Sequence, residues 1–510
     1  MKNVFVSYRR EDTAELVHVL TANLKRLLFP ERLFIDVTIP PGSSFIEELD
    51  KALEACDVAL VIIGPRWFGM ADRAQRRIDD AGDFVRIEAE RLLARNVPII
   101  PVLVHGAKMP SRQDLPSTIV DLAERQAVAF TGDPGAFPHP IVDALLRILR
   151  RWQPVVIRDE TDTSIWSHCW RDLTWLTDRE GWLCGAISEG GAGGHVGRGI
   201  LLRTTDGGAS WRQAKNISSG RGEFNWGGYL YNWTEVGPIY SILLYPRERT
   251  EGKEMINGYI ATMTGVFRAT APRSQFTHEV QWQRSTPEPG GAVPFTHFGF
   301  LVGVEGDNEL YASGWPGIAN WVRGGRWTLQ MKAFTYPIGM IAVFGGSDNR
   351  SVWAVGRSGQ DEFGNWGSES HGAIYRLEWP QNRWLRMPLP GIEFEEAQNL
   401  LGLHVVDRSH LFVVGEKGLL IRGVRERAGD DRSWTWQRVS VPSQAALHRV
   451  FVNEFGLWVI GANGTILNSV DNGQHWTALD VAHVDTALQG IRFHGTTGWI
   501  VGDNVVLRCT

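Results

Sequence analysis

Along the first 150 residues, short unbroken apolar runs alternate with longer segments whose apolar residues recur at helical spacing. Residues 3–8 read as a strand. Residues 13–28 read as a helix, with Leu16, Val19, Leu20, Leu24, Leu27 and Leu28 along one side. A second strand is predicted at 33–36. Pro40, Pro41 and Gly42 then break the chain, and a helix follows at 43–53, where Ser44 and Glu47 stand at capping-box spacing. Residues 57–63 and 97–104 are apolar enough to be buried strands, with a helix at 83–94 between them. A fifth strand is predicted at 126–130 and a last helix at 141–151. Strands without polar alternation, separated by helices, imply a parallel sheet covered on both faces. Ligands bind such sheets at the carboxyl ends of the strands. Those ends carry Tyr8, Arg9, Asp36, Gly64 and His105.

After residue 150 the pattern changes to a repeat of three elements. The first is a strand ending in a G-W-x-x-G-like string, as in GWLCG at 181, SVWAVG at 351, HLFVVG at 410, GLWVIG at 456 and GWIVG at 498. The second is a strand opening with glycine, as in GILLRT at 199, GVFRAT at 265, GAIYRL at 372, GLLIRG at 418 and GTILNS at 464. The third is a lone tryptophan that opens the next strand: Trp211, Trp282, Trp327, Trp384, Trp436 and Trp476. The tryptophan spacing, from 40 residues (436 to 476) to 71 (211 to 282), fits four-stranded propeller blades with insertions. The last unit lacks its tryptophan, and Trp152 lies before the first unit. Residues 152–158 are therefore expected to close the final blade, leaving no free edge in a seven-bladed ring. Trp166 is the alternative donor. Six or eight blades remain as alternatives, because the 212–282 unit is long and poorly patterned.

Composition sharpens this division. Most of the 22 tryptophans and 56 glycines fall after residue 150, which sets domains of 1–150 and 151–510. Net charge is −5 and no basic stripe stands out, so nucleic acid is not an expected partner. Cys56, Cys169, Cys184 and Cys509 form neither a metal knuckle nor a disulfide framework, which fits a reducing cytoplasm. No apolar run reaches membrane-spanning length, and no membrane association is expected. No metal site is expected.

The strings FVSYRRED, FIDVTIPPGSSF, CDVALVIIGPRW, RRIDDAGDFVRIE and VPIIPVLVHGAKMP, in that order, resemble a bacterial TIR domain across residues 1–150. The resemblance implies a flavodoxin-like, five-stranded parallel sheet. It also implies a loop at 37–43 through which copies stack on one another. Many TIR domains cleave NAD+ at the nicotinamide–ribose bond. That chemistry needs no cofactor, since NAD+ is the substrate. The leaving nicotinamide is already cationic, and one carboxylate can stabilise an oxocarbenium-like transition state.

The family places this carboxylate in a D-[WF]-V-x-x-E motif, matched here by Asp83-Phe84-Val85-Arg86-Ile87-Glu88, so Glu88 is the catalytic candidate. The plainer reading makes Glu88 a solvated helix residue paired with Arg91 at i+3. Arg9 is a candidate for the pyrophosphate, or else a surface partner of Glu11 or Asp12. Asp36 is a candidate for a ribose hydroxyl, or else a turn cap. Tyr8 sits beside them in the ligand-facing string. Phe45 and Trp67 are candidates for stacking on a base, or else core residues.

TTDGGASW (204–211) and SVDNGQHW (469–476) fit the Asp-box pattern S/T-x-D-x-G-x-x-W. This resembles the repeats of sialidases and of photosystem assembly-factor propellers. In it Asp206 and Asp471 are expected to bond turn amides as a structural device. Together the two resemblances imply an NAD+ nucleosidase, hydrolase or cyclase, that works through self-association and is controlled by a propeller ligand or partner. Bacterial antiviral defence is the role so implied. A non-catalytic TIR scaffold with a propeller binding module is the alternative.

Overall fold

A computed structural model of the chain describes residues 3–28, 33–35, 45–54, 56–69, 76–130, 139–149, 151–157, 167–188, 197–214, 217, 222–226, 229–233, 237–250, 253–286, 296–304, 308–315, 317–332, 338–344, 351–360, 366–378, 383–394, 398–427, 433–453, 455–481 and 483–509. Internal contacts divide the chain into two units, Met1–Arg151 and Trp152–Cys509.

In the first unit β1 (Asn3–Ser7), β2 (Leu33–Ile35), β3 (Cys56–Ile63), β4 (Ile99–Val104) and β5 (Val128–Phe130) form one sheet, parallel throughout. The strand order is β2-β1-β3-β4-β5, so the order in which successive strands are laid across the sheet reverses between β1 and β3. The helices are α1 (Arg10–Leu28), α2 (Phe45–Glu54), α3 (Phe84–Ala94) and α4 (His139–Leu149). The sheet is the five-stranded α/β arrangement that the apolar runs imply. Helix α1 starts earlier than its apolar spacing indicates, because the Arg9 carbonyl accepts from the Asp12 and Thr13 amides. Glu11 and Asp12 complement the dipole of its first turn.

Phe5, Ala59, Val61 and Ile63 pack with Leu49 and Leu53 of α2 and with Val85, Ala89 and Leu92 of α3. The alternate residues Val4, Val6, Val58, Leu60 and Ile62 are buried as well, as a strand of period two requires when both faces are covered. Asp83 has extended backbone and caps α3 by accepting the Arg86 amide at 3.2 Å. Asn96, at φ 53°, follows the helix in the left-handed region that asparagine tolerates.

The second unit is a propeller of seven four-stranded antiparallel sheets. The innermost strands, blades 1 to 7, are Ser167–Trp175, Ile239–Thr250, Thr296–Val304, Ile338–Phe344, Leu400–Val405, Leu447–Asn453 and Leu488–His494. Each contacts the next, and the seventh contacts the first, which closes the ring. Blade 7 takes its outer strand from Gln153–Pro154, paired with Arg508 and Leu507. Trp152 occupies the position of the missing tryptophan, edge-on to Trp458 and Phe493. Seven blades are thus observed, with closure by the segment expected. Trp166 lies outside the described residues. The long 212–282 unit carries an extra hairpin, Gly222–Trp226 with Tyr229–Trp233, which obscured its repeat. Trp182, Trp211, Trp282, Trp353 and Trp458 are among the largest fully buried side chains, so the tryptophan excess is core material.

Candidate functional site

The strings SYRR and DFVRIE, far apart in sequence, meet at the carboxyl end of β1. Ser7, the last residue of β1, donates its hydroxyl to Glu88 Oε2 at 2.5 Å. Arg9, two residues on, forms a two-pronged ion pair with Asp83, with Nη1 and Nη2 each 3.0 Å from a carboxylate oxygen. Its Nε donates to the Trp67 carbonyl at 2.6 Å. The β1 end therefore holds the α3 motif at both its acidic positions. This is also the edge where strand order reverses, the place where open α/β sheets take ligands.

Burial separates the two carboxylates. Asp83 is nearly inaccessible and its oxygens serve Arg9 and the helix cap, so it has no capacity left for a ligand. Glu88 is half-buried, one turn and a half further along α3. Arg91, its expected helical partner, turns to Asp50 of α2 at 3.6 Å, as does Arg95 at 2.9 Å. The helix-surface pairing proposed for Glu88 is thus replaced by the contact with Ser7.

Arg9 is 4% exposed, so its expected surface pairing with Glu11 or Asp12 gives way to the buried pair with Asp83. Glu11 instead meets Arg77 at 2.7 Å, and Asp12 accepts the Arg66 amide at 3.1 Å. Trp67 is fully buried, edge-on to Phe68. Its ring is a core element with no open face for a base, and its carbonyl anchors Arg9. Tyr8 is half-buried and lines an open groove of about 780 Å³ along α1, with Glu15, His18, Thr21 and Lys25. Glu88 is not among the described residues lining it. Asp36, Ser44 and the 37–43 loop lie outside the described residues, as does the side chain of Phe45.

Two other chemistries find no support among the described residues. No group of three or more His, Cys, Asp or Glu side chains is arranged to hold a metal ion. Burial pushes the Cys56 thiol up to about 11 and that of Cys184 far above its usual value, so neither is a ready thiolate. No described helix is long and apolar enough to cross a membrane.

In the propeller both Asp-boxes are turn devices. Asp206 accepts from the Ser210 amide at 3.0 Å, the Ser210 hydroxyl at 2.6 Å and the Thr204 hydroxyl at 2.8 Å. Asp471 accepts from the Gln474 and His475 amides at 3.1 and 2.9 Å. Gly208 and Gly473 take φ of 88° and 80°, and a Cβ at either would strike a neighbouring blade, at Trp499 and Phe412 respectively. The aspartates are spent on the turns, and the turns pack between blades.

Sequence reading missed the partners rather than the motifs. Ser7 and Asp83 lay within strings already singled out, but nothing local signals a bond across 81 or 74 residues.

Comparison with known proteins agrees with this division. Residues 4–146 match the TIR domain family, and residues 428–510 match the photosynthesis system II assembly factor YCF48 family. The first unit is a TIR domain and the second a YCF48-like seven-bladed propeller. The photosystem II assembly lipoprotein Ycf48 of Synechococcus sp. (strain CC9902) is 30% identical over 105 residues, 20% of this chain. The chain spans 29% of that relative's length. Among solved structures, YCF48 bound to D1 peptide is 15% identical with a TM-score of 0.46, covering 70% of this chain and 96% of that one. YCF48 from Cyanidioschyzon merolae is 14% identical with a TM-score of 0.43, covering 70% and 98%. The TIR family includes NAD-hydrolysing members, and a TIR domain joined to a propeller suits signalling, as adaptor or as enzyme.

Proposed function

We propose that the TIR unit cleaves NAD+ at the nicotinamide–ribose bond, with Glu88 as the carboxylate that faces the ribose. The observation that supports this most is the Ser7–Glu88 contact of 2.5 Å at the ligand-binding edge of the sheet, with the Arg9–Asp83 pair fixing the same helix one turn away. A hydroxyl donor favours the ionised carboxylate and fixes its direction. The Glu88 carboxylate can then accept from a ribose hydroxyl, or oppose the positive charge that grows at C1′.

In the reaction the C1′–N bond breaks and its electron pair goes to the nicotinamide nitrogen, so the cation leaves as neutral nicotinamide. Water adds to C1′ and loses a proton, giving ADP-ribose. Attack by an adenine nitrogen in place of water gives a cyclic product.

Self-association completes the site in this proposal, since Glu88 does not line the groove found beside Tyr8 in a single copy. The propeller senses the trigger, and the output serves defence. Product chromatography after incubating the concentrated full chain with NAD+ tests the reading. Nicotinamide together with ADP-ribose or its cyclic form is the expected result. Unchanged NAD+ at every protein concentration, including under crowding that forces association, would leave the scaffold role instead.

A further inference from the structure

The innermost strand of every blade carries a register irregularity near its start, and the residue just after it occupies an equivalent place in each blade. These residues are Asp172, Ser241, Phe300, Met340, Gly402, Arg449 and Gly490. A bulge re-aims the side chain that follows it, and those of the five non-glycine residues meet between blades. Arg449 of blade 6 lies over the Phe300 ring of blade 3, 3.8 Å from its centroid, and Nη1 points at Met340 Sδ of blade 4 at 3.5 Å. Asp172 of blade 1 accepts from Ser241 of blade 2 at 3.1 Å and pairs with Arg492 of blade 7 at 3.2 Å. A Cβ at Gly402 or Gly490 would meet the His448 or Arg171 carbonyl, at 2.4 and 2.7 Å, so glycine lets the inner strand of blade 5 approach that of blade 6, and that of blade 7 approach that of blade 1.

Among the described residues the charges at this centre do not balance. Arg449 is 9% exposed and its two contacts, a ring face and a thioether, are uncharged. The charged groups that act on it are Asp172, Arg492 and Arg171, and Asp172 is already spent on Arg492, Ser241 and two backbone amides. Arg171 has a buried Nε without an acceptor. Asp503 lies on the side of His448 and Cys169 and does not act on Arg449. Burial draws Arg449 down to about 9, which leaves it charged at neutral pH. A buried guanidinium without an anion is costly, and charge-assisted bonds to an oxyanion are what would offset it.

We propose that the centre of the propeller binds a small oxyanion, a carboxylate or a phosphate, with Arg449 as its principal ligand and Arg171 and Arg492 beside it. Arg492, with 35% of its side chain exposed, marks the open side. This site is independent of NAD+ cleavage by the TIR unit and gives the propeller a ligand class of its own.

The test is thermal unfolding of the full chain at fixed ionic strength in phosphate, acetate or chloride. Phosphate or acetate should raise the propeller transition saturably above its value in chloride. Arg449→Met should weaken that response about tenfold or more without lowering the transition in chloride. A response to phosphate alone assigns a phosphate-bearing ligand, one to acetate alone a carboxylate, and one to both an oxyanion site of shared chemistry. Should Arg449→Met not fold, Arg492→Gln gives the same reading, with a response weakened roughly fivefold. Wild type that behaves alike in all three salts, or a variant that keeps the full response, overturns the proposal.

Discussion

Each unit buries an arginine, and the two are treated oppositely. Arg9 of the TIR unit makes three directed bonds, two to the Asp83 carboxylate and one to the Trp67 carbonyl. Among the described residues, Arg449 of the propeller meets an aromatic face and a sulfur. A guanidinium held by a two-pronged carboxylate and a carbonyl is a structural bolt, and losing it strands most of its partner's charge. A guanidinium left without an anion weakens the fold it sits in, and such an arrangement persists when something outside the chain completes it. The same reasoning separates Asp83, buried with its oxygens taken by Arg9 and the helix cap, from Glu88, which accepts from Ser7 and is half-exposed.

The largest way to break this contrast is Arg9→Met. It leaves buried Asp83 with only the longer ion pair to Arg77, at 3.6 Å, and should cost the TIR unit about 3–5 kcal/mol in denaturant unfolding of the full chain, whereas Arg449→Met should leave the propeller no less stable. Equal losses in the two variants would end the distinction. Next in size is Asp206→Ala in the blade 1 turn, which frees the Ser210 amide and should cost about 1–3 kcal/mol. A neutral result would mean the turn does not depend on its carboxylate.

A third effect follows pH. Burial, and then the charge of Arg492, lowers the His404 imidazole from 6.5 to about 4. The unfolded chain then takes up a proton before the folded one does, so propeller stability falls as pH drops from 6.5 toward 4. The fall should approach about 1.4 kcal/mol per pH unit at its steepest. His404→Gln should flatten that stretch of a pH-resolved unfolding curve. The smallest effect is Ser7→Ala, expected to change stability by about 0.5–1.5 kcal/mol while slowing NAD+ cleavage more than it changes KM. A KM change without a rate change would place Ser7 in binding alone.

Much of this architecture was legible because it repeats or alternates. The apolar runs at 57–63 and 97–104 marked β3 and β4, and the tryptophan spacing marked blades. Trp152, a tryptophan out of phase, marked where the ring closes. Glu88 stood out through one motif, not through its neighbourhood. What stayed hidden depends on pairings between distant segments. The polar string after β1 gives no sign that Arg9 turns inward to an aspartate 74 residues on. The central ring draws one residue from each of seven strands, and no local pattern singles out Arg449 among the chain's other surface-type arginines. The hairpin at 222–233 hid one blade by lengthening its unit.

The claim on which the functional account rests is that the Glu88 carboxylate, rather than its shape, drives turnover. Glu88→Gln keeps an acceptor for Ser7 and removes only the charge. Nicotinamide release by the full chain, wild type against Glu88→Gln at matched concentration and matched association state, measures this directly. A loss of about 100-fold or more in the rate constant, with assembly unchanged, is the predicted result, and equal release by the two proteins would contradict it.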